Sequence, residues 1–242
     1  MTKINYIGNS PETLIALVNS PYFTVDSWIF ENRKADEFKD FINSGSCGIP
    51  CYGVANKDEL YNILVQKTNA RICVMHSFGL IINEKISSLF RIFNIHSGSL
   101  LTNRGRNPVE WAILLGWESD EVSIHEIDTS IDGGILVDAE KIEICCNDTV
   151  SDIRKKYFNH FPDLFKALDE YLSGKRKGVA VGQGIYREKV TEKHFTIDPL
   201  HDDVKTIKNK IRSQMDYNGA ILFVEGKKHY IRSFEDFKKY GY

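Results

Sequence analysis

Short apolar runs of strand length alternate with helix-period segments from the first residues onward, and this alternation constrains the fold more than any other feature of the chain. Residues 3–7 read as a strand closed by Gly8-Asn9-Ser10, and Pro11 then opens a helix to Val18 with Ser10 as its N-cap. Residues 22–30 are strand-like and 33–41 helical. A further helix over 58–66 carries Leu60, Ile63 and Leu64 on its apolar face. Residues 71–78 have the apolar density of a strand buried on both sides. Strands at 92–96, 122–127 and 135–144, a helix at 109–115 and one long helix over 150–172 complete the series. Such alternation predicts an open α/β sheet with helices on both faces.

At 173–183 the texture changes to glycine and cations, as in a connection leaving the main domain. Beyond it lie a short strand near 195–197, a helix over 204–214, and two strands, 220–224 and 229–232, flanking the hairpin signal Glu225-Gly226-Lys227. The expected organisation is an α/β domain over 1–182 and a small α+β appendage over 183–242 that ends in a β-hairpin.

Charge and composition narrow the partners. Lys+Arg is 31 against 33 for Asp+Glu, a formal net charge of −2, so no cationic excess exists to displace counterions from a nucleic acid. No run of eighteen apolar residues occurs, and the first residues lack the apolar stretch of a secretory leader. The 5 cysteines are odd in number and contain no Cys-x-x-Cys. Reduced thiols in a cytoplasm are expected, with no disulfide framework, metal site, nucleic acid or membrane partner.

The stretch richest in chemistry is Phe93-Asn94-Ile95-His96-Ser97-Gly98-Ser99-Leu100-Leu101. On a strand Asn94 and His96 project from one face, about 7 Å apart, while Ile95 enters the core. They sit at the strand's end, before a Ser/Gly turn, where ligand crevices form in open α/β sheets. Read alone, the pair is more economically a turn-satisfying amide and a hydrogen-bonded core histidine. Two later segments change that balance. One is Arg104-Gly105-Arg106-Asn107-Pro108, and the other runs Ser123-Ile124-His125-Glu126-Ile127-Asp128-Thr129-Ser130-Ile131-Asp132-Gly133-Gly134-Ile135-Leu136.

With these segments in order, the chain resembles the formyltransferases that use N10-formyltetrahydrofolate. The shared pattern is Asn-x-His, Leu-Leu, Arg-Gly, Pro, an Ile-His-x-x-Asp strand, and an Asp before Gly and an apolar pair. The resemblance implies a Rossmann-like formyltransferase domain, and it implies Asn94, His96 and Asp132 as the catalytic trio. Ser97 and Thr102 stand where the family usually has proline, a departure that bears on the shape of the loop. The resemblance also implies a pterin pocket lined by Phe78, Gly79, Leu80 and Ile82, the main chain of Leu80 and Ile82 above all. Asp128, Thr129, Ser130 and Ile131 would form its opposite wall.

Chemistry accounts for the residue types. When an amine attacks the formyl carbon, charge grows on the carbonyl oxygen and the nitrogen must lose a proton. An Asn94 amide N–H can donate to that oxygen. His96 can assist when protonated or take the amine proton when neutral, and Asp132 can hold the imidazole or a relay water. No cofactor beyond the folate co-substrate is implied, and no metal.

Among acceptor amines, the charge balance argues against methionyl-tRNA and the appendage against a purine-pathway amine. Arg104–Pro108, Gly184-Ile185-Tyr186-Arg187 and the 211–220 segment are similar to the sugar N-formyltransferases. The resulting expectation is formylation of a nucleotide-linked amino-dideoxysugar, such as dTDP-4-amino-4,6-dideoxyglucose, for a surface polysaccharide such as O-antigen. Asn9 and Ser10 would meet a phosphate at a helix N-terminus, Arg106 and Tyr217 would serve the same substrate, and Tyr217 would offer a ring to a pyrimidine. The 220–232 hairpin would form a homodimer contact. A formyltetrahydrofolate hydrolase is the alternative within enzymes; a non-catalytic folate- or nucleotide-binding module is the alternative outside them.

Overall fold

The computed structural model describes residues 1–45, 48–128 and 133–242. Along the chain the strands are β1 (Thr2–Gly8), β2 (Phe23–Glu31), β3 (Cys51–Val54), β4 (Ile72–His76), β5 (Arg91–His96), β6 (Arg104–Gly105), β7 (Ser119–Glu126), β8 (Ile135–Glu143), β9 (Val179–Ala180), β10 (Tyr186–Arg187), β11 (Thr196–Ile197), β12 (Ala220–Val224) and β13 (Lys227–Ile231). The helices are α1 (Pro11–Val18), α2 (Ala35–Asn43), α3 (Lys57–Lys67), α4 (Glu84–Ser87), α5 (Pro108–Leu114), α6 (Val150–Asn159), α7 (Phe161–Leu172), α8 (Glu192–Phe195), α9 (Val204–Gln214) and α10 (Phe234–Lys238).

The main sheet has the order β3-β2-β1-β4-β5-β7-β8-β9. The first five of these strands pair in parallel, and β7 returns antiparallel to β5. Period-two alternation within the parallel strands serves two helical layers. Ile7, Ile29, Cys73 and Ile92 point to one face, where Leu60 and Leu64 of α3 and Ile86 of α4 close the core. On the other face Phe93 meets Tyr171 of α7 edge-on, and Phe23 meets Phe165. Trp28, fully buried, packs on Phe38 and Phe41 of α2 and donates its ring N–H to the Gly8 carbonyl at 2.8 Å. The chain thus forms an open α/β sheet covered on both faces. Its strand order reverses between β1 and β4, which is where such sheets open their ligand crevice.

Two compact units are distinguished: Met1–His96 with Ser123–Ala139 and His160–Gly182, and Ser97–Val122 with Glu140–Asn159 and Gln183–Tyr242. The second is larger than the appendage expected over 183–242, because α5 and α6 pack against α9 and join it. Its β11-β12-β13 sheet closes over α9 and α10 around Ile197, Ile207, Ile211, Leu222, Ile231 and Phe237.

One helix expectation is corrected. The single helix read over 150–172 is two helices, broken at His160. Pro162, in the first turn of α7, has no N–H for the preceding turn, and its ring would collide with a continuing helix. The strand β3 was not anticipated either. It begins directly after Pro50 and contains Gly53, residues that usually punctuate a chain, yet it pairs with β2 from Trp28 to Glu31. Among the described residues no helix is long and apolar enough to cross a membrane.

Candidate active site

Asn94 and His96 lie at the C-terminal end of β5, next to β4 and the reversal of strand order. His96 is 6% exposed, and its cross-strand partner is Ser123. Asn94 stands directly opposite His125 on antiparallel β7, so their side chains meet on the same face. Its Nδ2 lies 3.2 Å from His125 Nε2, while His125 Nδ1 lies 2.8 Å from the Gly133 carbonyl. A carbonyl only accepts, so Nδ1 carries a proton; an amide nitrogen only donates, so Nε2 accepts from Asn94. The fully buried ring thereby fixes which end of the Asn94 amide is the donor. It also ties the backbone immediately after Asp132 to β7. Asp132 itself lies outside the described residues. Gly134 (φ 99°) turns the chain so close to β7 that a Cβ there would collide with the Glu126 carbonyl oxygen, which explains the second of the paired glycines.

The segment after β4 alternates. Phe78, Leu80 and Ile82 pack against the α3 face of the core, whereas Gly79 and Ile81 are exposed. Ser77 is left-handed (φ 57°), an uncommon state for a residue with a side chain. Asp128 is exposed at the end of β7, with Ile127 against the same core cluster. Thr129, Ser130 and Ile131 lie outside the described residues.

Asn9 and Ser10 both have intramolecular partners. Ser10 caps α1 by accepting from the Thr13 N–H at 3.2 Å, and its hydroxyl donates to Glu12 at 2.9 Å. Asn9 spans the β1/β4 reversal: Nδ2 donates to the Ser77 carbonyl at 2.9 Å and to the Glu31 carboxylate, while Oδ1 accepts from the Glu31 N–H at 3.0 Å. Glu31 is 6% exposed; it also accepts from the Gly79 N–H at 3.1 Å and from Arg33. Burial pushes its carboxyl up, but Arg33, Asn9 and the Gly79 N–H together hold it below the ordinary glutamate value. Glu31 was not singled out in the sequence, where a polar residue closing a buried strand is its sole trace. His125 entered only as the histidine of the Ile-His-x-x-Asp strand, with no role of its own.

Within the second unit Arg106 is exposed just before α5. Tyr217 is 42% exposed; its hydroxyl donates to buried Glu110 at 2.6 Å and accepts from Arg154 at 3.0 Å. Burial and the neighbouring Glu110 carboxylate push that phenol up to about 12, so it is neutral at working pH. Buried Asp120 holds the 97–103 loop, accepting from the Ser99 N–H at 2.9 Å and the Asn103 amide at 2.7 Å. A side-chain clip therefore fastens the loop in which Ser97 and Thr102 replace the family's prolines. Among the described residues no group of three His, Cys, Asp or Glu side chains is placed to hold a metal ion.

Residues 53–165 match the formyl transferase family, a stretch that contains Asn94, His96 and Asp132. The methionyl-tRNA formyltransferase of Mycoplasma pneumoniae is 26% identical over 189 residues, which is 72% of this chain and 60% of that protein. The chain thus spans about three fifths of the length of such relatives. Among solved structures, a 4-N formyltransferase from Francisella tularensis superposes with a TM-score of 0.78 at 18% identity, covering 96% of this chain and 97% of that one. The sugar 3N-formyl transferase WlaRD, determined in the presence of dTDP and 5-N-formyl-THF, gives 0.71 at 20% identity, covering 94% and 84%. The fold is the Rossmann-like fold of these enzymes.

Proposed function

We propose that this chain, whose formyl transferase domain lies over residues 53–165, moves the formyl group of N10-formyltetrahydrofolate to the amine of a nucleotide-linked amino sugar. The observation that carries the reading is an oriented amide, Asn94, two strand positions from His96 on the same face and locked by His125 within the matched stretch. Its second N–H is the donor for the oxygen on which charge grows as the amine attacks. His96 takes the amine proton, and Asp132 holds the imidazole in the productive orientation. The carbon–N10 bond then breaks, N10 recovers a proton, and the formamide leaves; no covalent intermediate on the protein is needed. In this reading the pterin is taken by residues 78–82 and 128–131.

For the acceptor, the near end-to-end fold match with a 4-N formyltransferase and the dTDP in the WlaRD structure favour a sugar nucleotide. A dTDP-4-amino-4,6-dideoxyhexose destined for surface polysaccharide is the specific candidate. Tyr217, its hydroxyl engaged and its ring part-exposed, is suited to stack a pyrimidine. We place the enzyme in the cytoplasm as a homodimer joined through the 220–232 hairpin, where Phe223 and Tyr230 are each 52% exposed. Sedimentation showing only monomer at micromolar concentration overturns that last element.

The sequence relatives favour methionyl-tRNA as a second reading. A net charge of −2 opposes it, since a polyanion is gripped through released counterions. Mass spectrometry of amino-sugar nucleotides after incubation with the folate donor decides. The expected product carries the added mass of one formyl group. Formylated methionyl-tRNA, or formate released without any acceptor, sinks the sugar reading.

A further inference from the structure

We propose that Glu31 is a positioning residue for the folate: it latches the 77–82 segment against the ends of β1 and β2. The inference rests on the reading above, in which that segment takes the pterin. Around Glu31 the hydrogen bonds close a ring. Its N–H donates to Asn9 Oδ1 at 3.0 Å, and one Asn9 amide hydrogen returns to Glu31 Oε2. The second Asn9 hydrogen reaches the Ser77 carbonyl at 2.9 Å, and the Gly79 N–H reaches Glu31 Oε2 at 3.1 Å. Asn9 therefore spends both donors, so its amide has a single orientation. Arg33 holds the same carboxylate from the solvent side, with Nε at 3.0 Å and Nη2 at 2.9 Å.

The ring spans the β1/β4 reversal and grips the segment on both sides of Phe78, at Ser77 and Gly79. It thereby sustains a left-handed, non-glycine Ser77 that the chain would otherwise leave. It also commits the Gly79 N–H, so the main chain offered to a heterocycle begins at Leu80. Gly79 is itself part of the fit: a Cβ there would lie 3.0 Å from Glu31 Oε1 and 3.3 Å from Oε2. A carboxylate is required because Oε2 receives three donors, from Asn9, Gly79 and Arg33. A glutamine of the same shape would turn an NH2 toward some of them, setting donor against donor at a buried side chain.

The test uses the full chain and two readouts, hydrogen exchange over 77–82 and steady-state kinetics. In Glu31→Gln we expect faster exchange of that segment and a KM for N10-formyltetrahydrofolate raised roughly tenfold, with kcat and the acceptor KM within about twofold of wild type. Glu31→Asp, which keeps the charge but is one carbon too short to hold the Gly79 N–H, should show the same split and keeps the test open if Glu31→Gln fails to fold. Unchanged exchange overturns the latch. Faster exchange with an unchanged folate KM overturns its role in folate binding. A wild-type chain that binds no 5-formyltetrahydrofolate overturns the proposed function itself; an unchanged folate KM in variants of an active enzyme overturns only Glu31's part.

Discussion

At the scale of single residues, the site is a set of hydrogen bonds whose direction is forced. The Gly133 carbonyl sets the protonated nitrogen of His125, and His125 in turn sets the Asn94 amide. Replacing His125 with Phe keeps a buried ring but removes both bonds. We expect kcat to fall roughly 10- to 100-fold, as for other residues that orient a reacting group, with folate affinity unchanged. Asn94→Ala should cost about 100- to 1,000-fold in kcat, the range for a lost oxyanion donor. Steady-state kinetics on both variants checks this: wild-type kcat in Asn94→Ala removes Asn94 from the chemistry, and wild-type kcat in His125→Phe removes the orienting role of His125. Strand geometry puts Asn94 and His96 on one face, but their reading as a catalytic pair came from the resemblance carried by the segments over 104–108 and 123–136. Glu31 was not legible in sequence, since its partners Asn9 and Gly79 lie 22 and 48 residues away and meet it only when β1, β2 and β4 align.

Among the elements, those with strong periodicity or turn chemistry were readable, and those shaped by one long-range contact were not. The α9 helix and the β12 strand occupy the spans their patterns predict, and Ser10 with Pro11 opens α1 as expected. The break between α6 and α7 was present in the sequence as Pro162, outweighed by the continuous apolar spacing on either side. The turn of the β12–β13 hairpin is two residues long, and both are left-handed, Glu225 at φ 50° and Gly226 at 76°. Glutamate is poorly suited to that position, whereas asparagine favours it. Glu225→Asn should raise the denaturant midpoint by the equivalent of about 0.5–1 kcal/mol; a lower midpoint contradicts the turn assignment. Asp120→Ala removes the acceptor for Ser99 and Asn103 in the loop after β5. It should destabilise by roughly 2–3 kcal/mol, because two donors are left buried.

For the molecule as a whole, three carboxylates tie acid stability to the main sheet. Burial pushes Asp26, Glu31 and Glu126 up, yet each ends below its ordinary value. Backbone N–H groups of Asn69 and Ala70 with Lys3 do this for Asp26, Arg33 and its neighbours for Glu31, and Arg91 with Tyr171 for Glu126. A depressed folded pKa stabilises fully above the unfolded value, about 4, and the contribution is lost as pH falls through the folded one. The denaturant midpoint should therefore fall on acidification below about pH 4, and these groups should contribute no slope between about pH 6 and 8.

The main sheet ends at one side in a strand of 4 residues and at the other in one of 2. The outer strand of the smaller sheet carries Lys227 and Lys228, and its opposite edge is 2 residues long. The short rims of the main sheet, and the lysines that open the 5-residue β13, leave a neighbouring chain little to add a strand to. Crowded in a cell, copies of this protein are guarded against fibrillar association by the brevity and charge of their rims.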